Sequence, residues 1–220
     1  MAYDLYLFDF DGVVFNTNRI KSDAFRQSLD GYPTEQVAAF VRYHEATGGI
    51  SRYIKFAHFF EDMMGMADSA AEQAEAIERF GQINEALMAK ASTLPGVLDF
   101  LTQIQRADKP AAVLSGGKAD EIINLLTARD YLVFFQNIWG NERSKAEHAA
   151  DTITGQFDKV LFFGDARYDM EVAEQFGFDF VFVASLTDWP EGRRIAAERG
   201  HRVIDDFTSA DLSAIAGLEI

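Results

Sequence analysis

The feature that most constrains this chain lies near its start: Leu5-Tyr6-Leu7-Phe8-Asp9-Phe10-Asp11-Gly12, an apolar run of strand character ending in two carboxylates one residue apart. A short continuous apolar run suits a strand buried on both faces, whose end then falls at the rim of a sheet. Residues i and i+2 of a strand share a face, so Asp9 and Asp11 leave the strand as neighbours, and a turn at Gly12 lets them diverge around a common centre. Two anions that close repel unless one is protonated or a cation lies between them. Magnesium, a hard cation that takes oxygen ligands, meets that need. The competing reading is structural: Asp-Gly is also a turn signal, and Asp9 then merely ends a strand.

A second segment, residues 159–165, repeats the design, delivering Gly164-Asp165 from an apolar run, with Asp169 four residues later. Met170, Val172, Ala173 and Phe176 give residues 166–176 a helical apolar face, so Asp165 falls in a strand-to-helix turn and Asp169 in the first helical turn. Acids there also serve as helix caps and dipole partners. Between the two acidic clusters, residues 110–114 form a third apolar strand running into Ser115-Gly116-Gly117, a small-residue turn where backbone N–H groups can approach a phosphate. Ser115 serves equally as a plain N-cap of the helix that follows. Lys145 opens a helical pattern over residues 144–153 facing the same rim, with Arg143 as the competing cation.

Taken in order, the strings DFDGVVFNT, VLSGG, SKAE and FFGDARYDMEVA, carrying Asp9/Asp11, Ser115, Lys145 and Asp165/Asp169, resemble the four motifs of the haloacid dehalogenase-like hydrolase superfamily. The resemblance covers nearly the whole chain. It implies a magnesium-dependent phosphatase in which Asp9 attacks a phosphomonoester to give an aspartyl-phosphate and Asp11 is the acid and base. Ser115, Gly116 and Lys145 would hold the phosphoryl oxygens, Asp9, the Asp11 carbonyl and Asp165 would bind Mg2+, and Asp169 would orient Lys145 or a metal-bound water. Haloacid dehalogenases proper and phosphonoacetaldehyde hydrolases lack the second acid, so Asp11 counts against both. A sugar phosphomutase remains the alternative, although in β-phosphoglucomutase a histidine stands twelve residues after the nucleophile, where this chain has Lys21. The remaining alternative is a non-catalytic phosphometabolite-binding protein, which has no chemical reason to retain all four motifs.

From residue 110 onward strand and helix patterns alternate, which predicts an α/β fold: a Rossmann-like parallel sheet core with helices on both faces and ligands at the strands' carboxyl ends. Residues 16–94 break the rhythm, being helical with no convincing strand, and read as an all-helical cap inserted into a core of residues 1–15 and 95–220. Within it, Gly48-Gly49-Ile50-Ser51-Arg52 resembles the cap loop of phosphoglycolate-phosphatase-like and β-phosphoglucomutase-like relatives, which implies that Arg52 clamps a substrate anion bidentately. Lys55 and His44 stand behind it as candidates, while Phe56, Phe59 and Phe60 read as cap core.

At 220 residues with no cysteine and a formal charge of −15, the chain has no disulfides, no thiolate nucleophile and no basic surface for nucleic acid. Any attraction for a small phosphorylated metabolite must therefore be local. The first strand starts close to Met1 and no apolar run approaches the ~20 residues that span a bilayer. The expectation is a soluble cytoplasmic protein with no membrane partner, monomer or dimer being open.

Overall fold

The computed structural model describes residues 3–218. Six strands form one parallel sheet: β1 (Leu5–Phe8), β2 (Ala111–Leu114), β3 (Asn137–Trp139), β4 (Val160–Gly164), β5 (Asp179–Val183) and β6 (Arg202–Ile204), in the order β3-β2-β1-β4-β5-β6. Its two edges are the three-residue strands β3 and β6. The order reverses at β1, which pairs β2 on one side and β4 on the other, with Leu7 opposite both Ala112 and Phe162. That switch point opens a crevice beyond the carboxyl ends of the strands.

Alternation along β1 builds two apolar layers. Tyr6 and Phe8 point into one, with Phe100, Phe163 and Phe207; Leu5 and Leu7 point into the other, with Phe162, Met170 and Phe182. Helices cover each face, as the continuous apolar strands require: α5 (Val97–Arg106), α6 (Ala119–Ala128), α7 (Lys145–His148), α8 (Arg167–Phe176), α9 (Gly192–Glu198) and α10 (Leu212–Ala216). Ser144 caps α7 by accepting from the Glu147 amide, and the Glu147 carboxylate accepts from the Ser144 amide, so the start of that helix is held from both sides.

Between β1 and α5 come α1 (Asn18–Ser28), α2 (Thr34–Ala46), α3 (Arg52–Ala57), a π-helical turn (His58–Met63) and α4 (Ala70–Met88). These pack around their own cluster of Phe25, Phe40, Phe56, Phe59, Phe60 and Phe80, so the three phenylalanines read as cap core are buried there. The chain enters and leaves this insertion side by side: the Leu94 amide donates to the Val14 carbonyl (3.1 Å) and the Asn16 amide to the Ser92 carbonyl (2.9 Å). Among the described residues no helix is long and apolar enough to cross a membrane.

On the β1 face, Phe100 meets Tyr6, Phe8, Phe163 and Phe207 with ring centroids 5.4–6.3 Å apart. Phe100→Ala should lower unfolding free energy by about 3–5 kcal/mol, read as a shift of the urea midpoint. A loss under about 1 kcal/mol would show that the layer collapses around the gap.

Candidate active site

The carboxyl ends of β1, β2 and β4 and the start of α7 bring the four sequence motifs to one place. Asp9 follows β1 and is buried, and its Oδ1 accepts from the Phe10 amide at 2.7 Å and lies 2.9 Å from Lys145 Nζ. Among the described residues no hydrogen bond reaches Oδ2. Lys145 Nζ also donates to Asp169 Oδ1 at 2.6 Å, and both partners are buried. Asp169 Oδ2 accepts from the Ala166 amide at 3.1 Å, so one side chain caps α8 and orients the lysine. The expected competitor Arg143 instead pairs with Asp151 in the open, 2.7 Å apart.

Ser115 is buried at the end of β2, but it is not the helix cap: the N-cap position of α6 is Lys118. The serine Oγ accepts from the Gly117 amide at 3.0 Å, leaving its own proton uncommitted to any of the described residues. Gly116 lines the cavity, and a Cβ there would sit 2.4 Å from the Gly49 carbonyl oxygen, so the inserted loop presses directly on this turn. A Cβ on Gly48 would likewise come within 3.0 Å of Ala166. The insertion therefore closes over the crevice from both sides.

Three buried acids, Asp9, Asp165 and Asp169, offer oxygens within 4.8 Å of one another. Lys145 is the single ammonium among them. Desolvation, above all, pushes Asp9 up to about 7 against the pull of Lys145, with Asp169 and Asp11 adding to the rise. Desolvation and then Asp9 and Asp169 raise Asp165 well above the carboxylate range. Lys145 is raised despite its burial, because Asp169 and Asp9 favour the charged form. The donor set is all oxygen and carries surplus negative charge, which fits a divalent hard cation. Asp11 stands apart, consistent with a contribution through its carbonyl. Its carboxylate accepts from Thr17 Oγ1 at 2.6 Å and pairs with Lys21.

Lys21 and Asn18 are the residues that sequence reasoning underused. Asn18 Nδ2 donates to Asp165 Oδ2 (2.7 Å) and to the Leu186 carbonyl (2.8 Å), fixing the carboxylate. Both lie on the first turns of α1 just past the crossing into the insertion; a helix-start Asn was the sequence signal for one, and for Lys21 its place twelve residues after Asp9, which pointed to no contact with Asp11. Arg52, expected to clamp a substrate anion, already has a carboxylate. Its Nη1 and Nη2 reach the two oxygens of Glu121 at 2.8 and 2.6 Å, and its guanidinium lies 4.5 Å from the Phe80 ring centroid. It ties the insertion to α6, and a substrate anion would have to displace Glu121.

A parallel sheet switching direction at β1, with paired acids at the crevice and a helical insertion above it, defines a Rossmann-like α/β architecture of one recognisable kind. The chain matches the model of the haloacid dehalogenase-like hydrolase family over residues 6–183 and belongs to that family. No curated protein sequence matches it. Among solved structures it is similar to β-phosphoglucomutase from Clostridium difficile (16% identity, TM-score 0.73, 98% of this chain and 96% of that one). It is similar also to a predicted phosphoglycolate phosphatase from Haemophilus somnus (17%, 0.72, 97% and 97%). A third is CbbY from Rhodobacter sphaeroides in complex with phosphate (18%, 0.70, 94% and 96%). At these identities the likeness is one of fold.

The raised carboxyls give a pH signature. Groups whose folded pKa lies above the unfolded value stabilise fully below about pH 4, and that contribution is lost as pH rises through the folded value. For Asp9 the loss runs up to about 7, and Asp165, also raised, adds a loss of the same sign. A cation needs both carboxylates ionised, so magnesium should raise Tm by about 5–10 °C at a hundredfold excess over Kd near pH 8, and by less near pH 5.5. Equal shifts at both pH values would exclude these acids as its ligands. Asn18→Ala should raise the magnesium concentration giving half that Tm shift by about 10–100-fold, since it frees the Asp165 carboxylate.

Proposed function

We propose that the protein is a magnesium-dependent phosphatase that hydrolyses a small phosphomonoester through an aspartyl-phosphate on Asp9. The observation that carries this reading is the Asp9 carboxylate itself: both of its contacts, with the Phe10 amide and Lys145, fall on Oδ1, which leaves Oδ2 turned free for attack. Covalent capture on that oxygen splits one difficult displacement into two easier ones.

Each further role follows from a contact already described. The uncommitted Ser115 hydroxyl and the Lys145 ammonium donate to the phosphoryl oxygens, where charge accumulates during transfer. Asp169 is a positioning residue that keeps Lys145 aimed at Asp9. Asp11, steadied by Thr17, delivers a proton to the leaving oxygen and later takes one from the attacking water. Magnesium, when bound to Asp9, the Asp11 carbonyl and Asp165, supplies neutralisation of the transferring group's charge. The inserted helices act as a cap that excludes bulk water from the phosphoenzyme, helped by the Gly49 contact on Gly116.

Lys21 bears on the choice between hydrolysis and phosphomutase chemistry. It occupies the position of the mutase histidine and is paired with Asp11, an arrangement we assign to a hydrolase. The test is turnover of an aryl phosphate with magnesium. Asp9→Asn should lower kcat/KM at least about a thousandfold, while its Tm stays near that of the parent. Activity persisting in this variant would remove Asp9 as nucleophile.

A further inference from the structure

We propose that Lys55 and His44 form a specificity subsite in the cap, which binds a carboxylate carried by the leaving group of a compact phosphomonoester. The proposal rests on the phosphatase reading above and names its substrate class.

Among the described residues three lysine or arginine side chains are buried: Arg52, Lys55 and Lys145. Lys145 lies between Asp9 and Asp169, and Arg52 lies on Glu121. Lys55, 2% exposed, has no carboxylate within ion-pair distance among the described residues. Its Nζ reaches only neutral groups of one residue, His44 Nδ1 at 2.7 Å and the His44 carbonyl at 3.2 Å. An ammonium has three N–H donors, so one remains. With Nδ1 accepting from the lysine, the imidazole proton sits on Nε2, and that atom is buried without a partner. Both residues line the cavity that also holds Asp9, Asp11, Gly116 and Asp165.

Unanswered buried donors are costly, and a buried cation without a counter-ion more so. Desolvation, and then Lys21, push Lys55 down to about 7 against the opposing pull of Asp11 and Asp188. Desolvation and Lys55 hold His44 well below its usual range, so it stays a neutral acceptor at Nδ1. An anion arriving beside Nζ would restore the ammonium and supply its missing partner. Glu45 and Asp188 also line the cavity. Unlike Lys55 they keep contact with solvent, so beside Lys55, away from the acids that face the metal site, the unmet demand is for an anion.

Size selects among anions. The cavity volume is about 60 Å³, room for roughly four to six water-sized groups. A carboxylate next to the ester carbon, three heavy atoms in all, asks less of that space than a second phosphoryl group of four or a sugar ring.

The experiment compares phosphoglycolate with 2-hydroxyethyl phosphate, an ester of nearly equal size whose leaving group is uncharged, with magnesium present. The parent enzyme should favour phosphoglycolate about 10–100-fold in kcat/KM, mainly through KM, as expected for one charge-assisted contact. Lys55→Met should bring that ratio close to one. Calorimetric binding of both esters to Asp9→Asn protein, with and without Lys55→Met, gives the same comparison with no turnover needed. If neither ester is hydrolysed but binding shows the preference and loses it in Lys55→Met, the phosphatase reading fails and the subsite stands. A parent ratio near one in both measurements, or a preference that survives Lys55→Met, overturns the proposal.

Discussion

The contact on which the rest of this site depends is the Lys145 ammonium held between Asp9 and Asp169, all three out of water. Removing one partner from such a group leaves an uncompensated buried charge, a far larger loss than the pair's net contribution to stability. The lysine does not balance its surroundings, because Asp165 completes a set of three acids around it. That surplus charge gives the site an appetite for a cation and adds to the desolvation that chiefly raises Asp9 to about 7. Several parts of the fold converge to hold it: two central strands, the capping box that starts α7, and the first turn of α8.

Closure over this charged floor comes from backbone more than from side chains. Gly49 lies so close to Gly116 that the latter has no space for a Cβ, and Gly164 is equally constrained, since a Cβ there would lie 2.5 Å from that of Asp169. The Arg52–Glu121 pair then ties the closed insertion to α6 at a point outside the reacting centre. An arginine at the start of an inserted helix thus serves the joint between the two parts of the molecule, and Lys55, three residues on, is left as a buried amine facing the cavity with no carboxylate at ion-pair distance among the described residues.

How much of this was legible in the sequence varies with the range of the interaction. The apolar runs around Phe8, Val113 and Phe163 announced buried parallel strands, and each ended in the residue types that phosphoryl chemistry needs. Asp9, Asp165, Ser115 and Lys145 were visible because the physics that places them is local: a strand ends, a turn of small residues follows, a helix begins. Ser115 looked equally like a helix cap, and only the geometry moved that duty to Lys118 and left the hydroxyl free. The reach of Asn18 to Asp165 and of Lys21 to Asp11 had no sequence signature beyond polarity, because it depends on how α1 leaves the crossing into the insertion.

By itself, then, the chain's order of residues determined the class of fold, the direction of the sheet and the four loops that meet at its rim. Those follow from hydrophobic periodicity and turn chemistry, which act over a few residues. Tertiary structure alone decided that Arg52 would face Glu121, that His44 would accept from Lys55, and that a cavity of modest size would lie beneath them. Such pairings join residues from different helices, or from the insertion and the core. Their partners are set by packing of the phenylalanine cluster around Phe25 and Phe80, and no spacing along the chain encodes which charges that packing will bring together.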